Sequence, residues 1–234
     1  MKKYIIIPTY NEAENIEKLV QQIFNLNILE LNIIIVDDNS SDGTGQLVDK
    51  LTQQYPLTVI HRQGKLGLGS AYIAGFKKAF ELGAEIVFEM DADFSHSPED
   101  LPAMITAINQ GYDVIIGSRR IQGGNVEGWN WSRNLQSQAA MLFAKIILNL
   151  KTKDLTAGFR CYRVSTLKQI NLDKIKSNGY AFQEEMIYLC ERKGFKIKEI
   201  PVTFVDRQFG QSKLGFKDIL EFFITVLRLR FIKK

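Results

Sequence analysis

The chain reads as one α/β domain, a mainly parallel, twisted sheet flanked by helices, and three observations say so. Short β-branched runs alternate with stretches of helical apolar spacing, the pattern of βα units. Polar residues follow directly on the ends of four of those strands, where open α/β sheets bind ligands. The 234 residues contain no linker rich in Pro, Gly or Ser, no low-complexity tract and no internal repeat, so one domain is the simpler organisation.

Tyr4-Ile5-Ile6-Ile7 is a buried strand stopped at Pro8. Asn11 to Asn15 opens a helix with acidic residues in its first turn, continued by Ile16, Leu19, Val20, Ile23 and Phe24. A second buried strand, Asn32 to Val36, ends at Asp37-Asp38-Asn39-Ser40-Ser41-Asp42-Gly43-Thr44. A helix from Thr44 to Tyr55 and the strand Leu57-Thr58-Val59-Ile60 follow. Gly64, Gly67 and Gly69 lead into a helix carrying Ala71, Ala74, Phe76 and Phe80. Ile86-Val87-Phe88 is the next strand, running out into Glu89-Met90-Asp91-Ala92-Asp93-Phe94-Ser95-His96. Ser97 to Asp100 starts a helix over Leu101 to Asn109, and Asp113 to Gly117 is a strand ahead of Ser118-Arg119.

The second half changes character. Trp129 to Lys151 is a strongly apolar helix broken by Lys145, Phe182 to Arg192 is another helix, and Lys196 to Ile200 is a strand ending at Pro201. The tail from Gly215 is too apolar for a surface helix and too interrupted by charge to span a bilayer. It reads either as an interfacial helix with basic ends or as a helix packed on the core or on a second subunit. A division into a catalytic domain over 1–215 and an interfacial tail over 216–234 follows from the first reading.

Two cysteines, Cys161 and Cys190, without metal-type spacing suit a reduced, cytoplasmic compartment. The N-terminal apolar run is too short for a signal peptide, and no stretch of about 18 apolar residues predicts a transmembrane helix. The net charge is +4, with Lys and Arg gathered after Lys193 and acidic groups before residue 100. That suits phosphates or an anionic membrane surface. No basic run interleaved with aromatics argues for nucleic acid.

Asp91 and Asp93, one residue apart at a strand end, can reach one hard cation such as Mg²⁺ or Mn²⁺; the same tripeptide is also often a solvated turn. Asp37 and Asp38 are either a turn or carboxylates for a donor-rich partner such as a ribose or a base edge. The glycine cluster matches neither a phosphate-binding loop nor a dinucleotide fingerprint and reads as a tight turn passing close to the site. Arg119, Arg133, Arg160, Arg163, Arg207 and Lys213 suit phosphate recognition, or are solvated charges. His61 and His96 pair with no nucleophile and read as surface or turn residues.

With these residues placed, the chain resembles the family 2 glycosyltransferases, and within them the polyprenol-phosphate (dolichol-phosphate) mannosyltransferases. The matching segments include Ile7-Pro8-Thr9-Tyr10-Asn11-Glu12, Val36-Asp37-Asp38, Gly67-Leu68-Gly69-Ser70, Met90-Asp91-Ala92-Asp93-Phe94-Ser95-His96, Gly117-Ser118-Arg119, Gly158-Phe159-Arg160, Phe182-Gln183-Glu184-Glu185, Phe204-Val205-Asp206-Arg207 and Ser212-Lys213-Leu214. The resemblance implies a GT-A fold, GDP-mannose as donor and a polyprenyl or dolichyl phosphate as acceptor. It implies that Pro8, Tyr10, Glu12, Val36 and Asp38 hold the nucleotide, that Asp91 and Ala92 line the sugar-phosphate side, and that Asp93 binds the metal with Ser95 as a second, variable ligand. Asp91, Asp93 and Arg119 are the catalytic candidates. Arg119, Arg207 and Lys213 would meet donor phosphates, and Arg133, Arg207 and Lys213 the acceptor phosphate. A peripheral place on the cytoplasmic membrane face follows, with a separate membrane-anchoring protein as a possible partner. Arg120, Ala157 and Gln138 depart from the family's usual aromatic, Ser and basic residue.

Overall fold

The structure, a computed structural model, describes residues 1–179, 181–206 and 216–231. Its strands are β1 (Lys3–Thr9), β2 (Leu31–Asp37), β3 (Leu57–His61), β4 (Ile86–Glu89), β5 (Val114–Ser118), β6 (Asn125–Glu127), β7 (Arg160–Arg163), β8 (Ile197–Pro201) and β9 (Thr203–Val205). Its α-helices are α1 (Ile16–Asn25), α2 (Thr44–Leu51), α3 (Leu68–Glu81), α4 (Leu101–Asn109), α5 (Trp131–Leu148), α6 (Val164–Leu167), α7 (Phe182–Arg192) and α8 (Phe216–Phe231).

Seven strands form one sheet in the order β3-β2-β1-β4-β7-β5-β8, and β6 pairs with β9 in a small second sheet. The large sheet is parallel except at β7, which runs antiparallel to both β4 and β5. The continuous apolar runs of β1 and β2 are explained by cover on both faces. Ile5, Ile7, Ile33 and Ile35 join α1 and α4 in one core, while Tyr4, Ile6, Ile34 and Val36 join α3 and α7 in the other. Alternate residues of a strand point to opposite faces, so each strand serves both layers.

The expected elements are present with shifted ends. β1 runs on through Pro8 to Thr9. Its pairing with β4 stops at Ile6–Glu89, so Pro8 stands where that neighbour has ended, a position that tolerates a missing N–H. Helix α1 starts only at Ile16, because residues 11–13 are bound to the β2–α2 loop and the first residue of α2 instead. Strand β7 had no periodic signal: it is Arg160-Cys161-Tyr162-Arg163. Arg160 is nonetheless fully buried, its guanidinium donating to the carbonyls of Ala157, Leu155 and Gln183 at 2.8 Å each. Arg163 likewise donates to the carbonyls of Tyr112 and Ile108. Both arginines are framework, not phosphate ligands.

Helix α8 settles on the core by one face. Thr225, Val226 and Leu229 are buried, whereas Leu220, Phe223, Ile224, Leu227 and Phe231 are exposed. Tyr188 donates to the Leu229 carbonyl at 3.0 Å and Arg228 pairs with Glu185 at 2.6 Å. Phe143 of α5 meets Phe223 edge-on at 5.2 Å, and α5 also exposes Trp131, Leu135, Leu142 and Ile146. The two helices thus present apolar side chains side by side. Among the described residues no helix is long and apolar enough to cross a membrane.

Candidate active site

The carboxyl ends of β1, β2 and β4 bring the acidic candidates to one edge of the sheet. Asp37 is consumed locally, accepting from Thr9 Oγ1 at 3.0 Å and from the Ser40 hydroxyl at 2.5 Å. Asp38 is turned the other way. Its Oδ2 accepts from the backbone N–H of Leu66 and Gly67 at 3.1 and 3.3 Å, and Arg62 Nη1 lies 2.8 Å from its Oδ1. Burial pushes the Asp38 carboxyl up, while Arg62 and the two N–H groups oppose the rise. Lys65 sits 4.5 Å over the Tyr10 ring, a cation–π contact that draws the glycine turn over the end of β1. Glu12 accepts from Asn15 Nδ2 at 3.0 Å, and its N–H donates to Thr44 Oγ1 at 2.9 Å. Pro8 is half-buried, and Val36 is wholly within the core, so Val36 offers a ligand only its backbone.

At the end of β4, Asp91 and Asp93 have different surroundings. Asp91 accepts from the Tyr72 hydroxyl at 3.2 Å, and His96 Nε2 lies 3.8 Å from its Oδ2. Asp93 is buried and accepts from the Ser95 N–H at 3.1 Å across a turn in which Phe94 has φ 60°. The Ser95 hydroxyl is buried with no hydrogen-bond partner. Ala92, between the two acids, is buried.

His96 was expected as a surface or turn residue; it stands in a bend after β4 but not at the surface, being 2% exposed and stacked on Phe159 at 5.2 Å. Burial lowers its pKa to about 4, so it is neutral at physiological pH and acts as a packing wall behind Asp91. His61 is exposed, 2.8 Å from Asp49.

No group of three or more His, Cys, Asp or Glu side chains among the described residues is arranged to hold a metal. A buried carboxylate and an orphaned hydroxyl still fit a hard cation that takes one or two protein oxygens and completes its shell with water and substrate phosphates. The residues present suit Mg²⁺ or Mn²⁺ better than a caged structural ion.

The basic side is organised by partners far away in the chain. Arg119 is held bidentately by Asp154, Nε to Oδ2 at 2.8 Å and Nη2 to Oδ1 at 2.7 Å, with Thr156 Oγ1 also 2.7 Å from Nη2. Arg119 coordination keeps the buried Asp154 carboxyl low in spite of its desolvation. Arg133 pairs with Asp206 at 2.7 Å and lies 4.4 Å over the Trp129 ring. Arg119 and Arg120 approach the same indole at 5.8 and 6.0 Å. Trp129 therefore gathers three guanidinium groups. Arg119 also lies 5.2 Å from Phe204, whose ring meets His96 at 5.5 Å; this ties the cluster to Asp91. Beside it an open cleft of about 660 Å³ carries Arg119, Arg120, Lys145 and Lys153 together with Leu135, Met141 and Leu142.

Of the sequence candidates, Pro8, Tyr10, Glu12, Val36, Asp38, Asp91, Ala92, Asp93, Ser95, Arg119 and Arg133 have these positions; Arg207 and Lys213 lie outside the described residues. Sequence reasoning missed Arg62, Trp129, Asp154 and Asp206. Arg62 follows β3 directly, so the strand-end rule that singled out the acids also reaches it. Asp206 stands in the matching segment Phe204-Val205-Asp206-Arg207 without having been given a role, and nothing in the local sequence points to Trp129 or Asp154.

The mainly parallel sheet with acids at its strand ends and a basic cluster opposite is the architecture of a GT-A fold. The model of the family described as "Glycosyl transferase family 2" matches residues 4–170, and the chain belongs to that family: it is a glycosyltransferase. An undecaprenyl-phosphate mannosyltransferase of Micrococcus luteus is 43% identical over 97% of this chain and 93% of its own. A polyprenol monophosphomannose synthase of Mycolicibacterium smegmatis is 41% identical over 93% of this chain and 82% of its own. A dolichol-phosphate mannosyltransferase of Pyrococcus furiosus is 40% identical over 98% of this chain and 64% of its own. Among solved structures, glucosyl-3-phosphoglycerate synthase of Mycobacterium tuberculosis with Mn²⁺, UDP and phosphoglyceric acid superposes with TM-score 0.73 at 18% identity, covering 100% of this chain and 80% of that one. A mannosyltransferase of Pyrobaculum calidifontis with GDP-Man and Mn²⁺ superposes with TM-score 0.65 at 17% identity, covering 97% and 64%. At these identities the structural likeness speaks for the fold.

Proposed function

We propose that this glycosyltransferase moves mannose from GDP-mannose to a polyprenyl or dolichyl phosphate, giving the β-linked polyprenyl phosphate mannose. The single observation that carries the acceptor assignment is the cleft at Arg119 and Arg120, cationic at one end and apolar along α5. An amphiphile with a phosphate head and a hydrocarbon tail matches that polarity. The relatives' names supply the sugar.

A divalent ion, Mg²⁺ or Mn²⁺, when held by Asp93 and Ser95, would offset charge on the departing nucleoside diphosphate. Tyr10, Glu12 and Asp38 would bind the nucleotide, with Pro8 and Val36 shaping its floor. Asp91 and Ala92 would border the sugar, Asp91 being fixed by Tyr72. An acceptor phosphate oxygen attacks the anomeric carbon as the bond to the nucleoside diphosphate breaks, inverting the centre. A phosphate monoester is largely dianionic at neutral pH, its second pKa being about 6, so no side chain has to take a proton. Arg119 and Arg133, with Arg207 and Lys213 as further candidates, would hold two anions together against their repulsion. The exposed apolar residues of α5 and α8, Leu142, Ile146, Phe223, Ile224 and Leu227 among them, would rest, as part of an interfacial 216–234 tail in the case of α8, on the anionic cytoplasmic membrane surface, where the lipid acceptor resides. A separate membrane protein could supply further anchoring.

The decisive experiment incubates the purified chain with labelled GDP-mannose or UDP-glucose and polyprenyl phosphate, with and without Mn²⁺. Lipid-extractable label from GDP-mannose, dependent on the metal, is the expected result. Label from UDP-glucose alone would transfer the assignment to a glucosyltransferase, and binding without turnover would leave a nucleotide-sugar-binding subunit.

A further inference from the structure

The glycine turn at 64–70 matched no nucleotide motif, yet it is braced from two sides. On one side it holds Asp38 through the N–H groups of Leu66 and Gly67, and Arg62 through the Gly67 carbonyl at 3.3 Å and the Ser70 hydroxyl at 2.5 Å. On the other side it is fastened to Asn178. Asn178 Nδ2 donates to the Leu66 carbonyl at 2.5 Å, its Oδ1 accepts from the Ser70 N–H at 3.1 Å, and its carbonyl accepts from the Gly69 N–H at 2.9 Å.

Two of its glycines, Gly67 and Gly69, leave the room this contact needs. A Cβ on Gly67 would stand 2.7 Å from the Asn178 side chain, and one on Gly69 would stand 2.7 Å from the Ser177 carbonyl. Gly67 also has φ +101°, a conformation L side chains rarely adopt.

The same segment is held from behind by helix α8. Glu221 Oε1 accepts from the N–H of Asn178 at 2.8 Å and of Gly179 at 3.2 Å. The Ser177 hydroxyl lies 3.2 Å from Thr225 Oγ1 and accepts from Arg228 at 3.1 Å. An unbroken hydrogen-bonded line thus runs from α8 through 177–179 and the glycine turn to Asp38.

We propose that residues 177–179 form a strut through which α8 holds the nucleotide end of the site, with Asn178 and Glu221 as positioning residues for the donor. The proposal rests on the donor reading above. A turn released from Asn178 samples arrangements in which Arg62 and Asp38 are no longer set, and apparent affinity falls by the fraction of time spent in them. Neither residue touches the acceptor cleft, so acceptor affinity stays as it is.

The test is calorimetric titration of GDP with Mn²⁺ into the full chain and its variants, alongside steady-state kinetics. Asn178→Ala is expected to weaken GDP binding about tenfold, the upper end for lost hydrogen bonds, raising the donor KM while kcat and the acceptor KM stay unchanged. Glu221→Ala should weaken it about threefold. The double variant should lose no more than Asn178→Ala does, because the two act on one line. Gly67→Ala, which forces Asn178 aside, should shift the donor KM in the same direction. Unchanged GDP affinity in Asn178→Ala, with binding abolished in Asp38→Ala, overturns the strut and leaves the donor site standing. Unchanged affinity in Asp38→Ala as well overturns the donor reading and the strut together. A lowered Tm with both KM values raised would mark a merely structural role and also overturns it.

Discussion

The acidic and basic halves of the site are built by opposite means. On the acidic side Asp37, Asp42 and Asp93 are set by groups close to them in sequence or on the neighbouring strand end, namely Ser40 and Thr9, Thr44 and Ala13, and the Ser95 N–H, while Asp38 and Asp91 also draw on the glycine turn and Tyr72. On the basic side Arg119 and Arg133 each depend on a carboxylate many residues away, Asp154 and Asp206, and Arg120 depends on Asn134 and Ser137 of α5. Short loops after parallel strands can order themselves once the strands pair, because their backbone N–H groups are already at hand. Buried cations cannot, since each needs acceptors carried in from elsewhere in the fold to offset desolvation, a carboxylate for Arg119 and three carbonyls for Arg160. The acidic side should therefore fail in function before stability, and the basic side in both.

The largest effect expected is from Asp93→Ala. Transfer should drop by about a thousandfold, the size seen when a preorganised electrostatic contact is lost, with thermal unfolding unchanged; full activity with the metal chelated would sink the metal assignment. Next, Asp154→Ala leaves Arg119 buried without its partner and should cost roughly 3 kcal/mol of stability, read by denaturant unfolding. A loss confined to activity would mean that Asp154 does not support the fold as argued.

Glu184 offers a pH test of the interior behind the site. Burial, only partly opposed by Arg160, raises its carboxyl from an ordinary 4.5 to about 8. The native chain then keeps a proton that the unfolded chain releases, so stability falls as pH rises from about 4.5 towards 8. Glu184→Gln should melt above the wild type near pH 8, with the gap closing towards pH 4.5; a gap independent of pH would refute the burial account.

Arg133→Ala, whose partner Asp206 is part-exposed, should do less: about a tenfold rise in the acceptor KM with the donor KM unchanged. The smallest change is expected from Ile146→Glu on the exposed face of α5. It should lower co-sedimentation with anionic vesicles several-fold while leaving turnover of a short-chain acceptor intact.

Within the fold, β1, β2, β4, α4 and α7 were legible because hydrophobic period and strand-end polarity are local properties. The acids followed from the same rule, and family resemblance then divided their roles. Strand β7 was invisible: its arginines look solvated, and only the carbonyls of Leu155, Ala157 and Gln183 make burial of Arg160 tolerable. The tail was open between two readings because its apolar content exceeds what one neighbour can cover. It packs with Val226 and Leu229 inward and leaves Phe223, Ile224 and Leu227 out.

Periodicity, strand ends and composition thus sufficed for the fold class and for setting Asp38, Asp91 and Asp93 at one edge of the sheet. Which cation meets which carboxylate, why the glycines at 67 and 69 are glycines, and how α8 reaches the glycine turn all waited on packing. Those contacts join residues separated by tens of positions, and nothing in the spacing of a chain encodes a distance closed only when its layers meet.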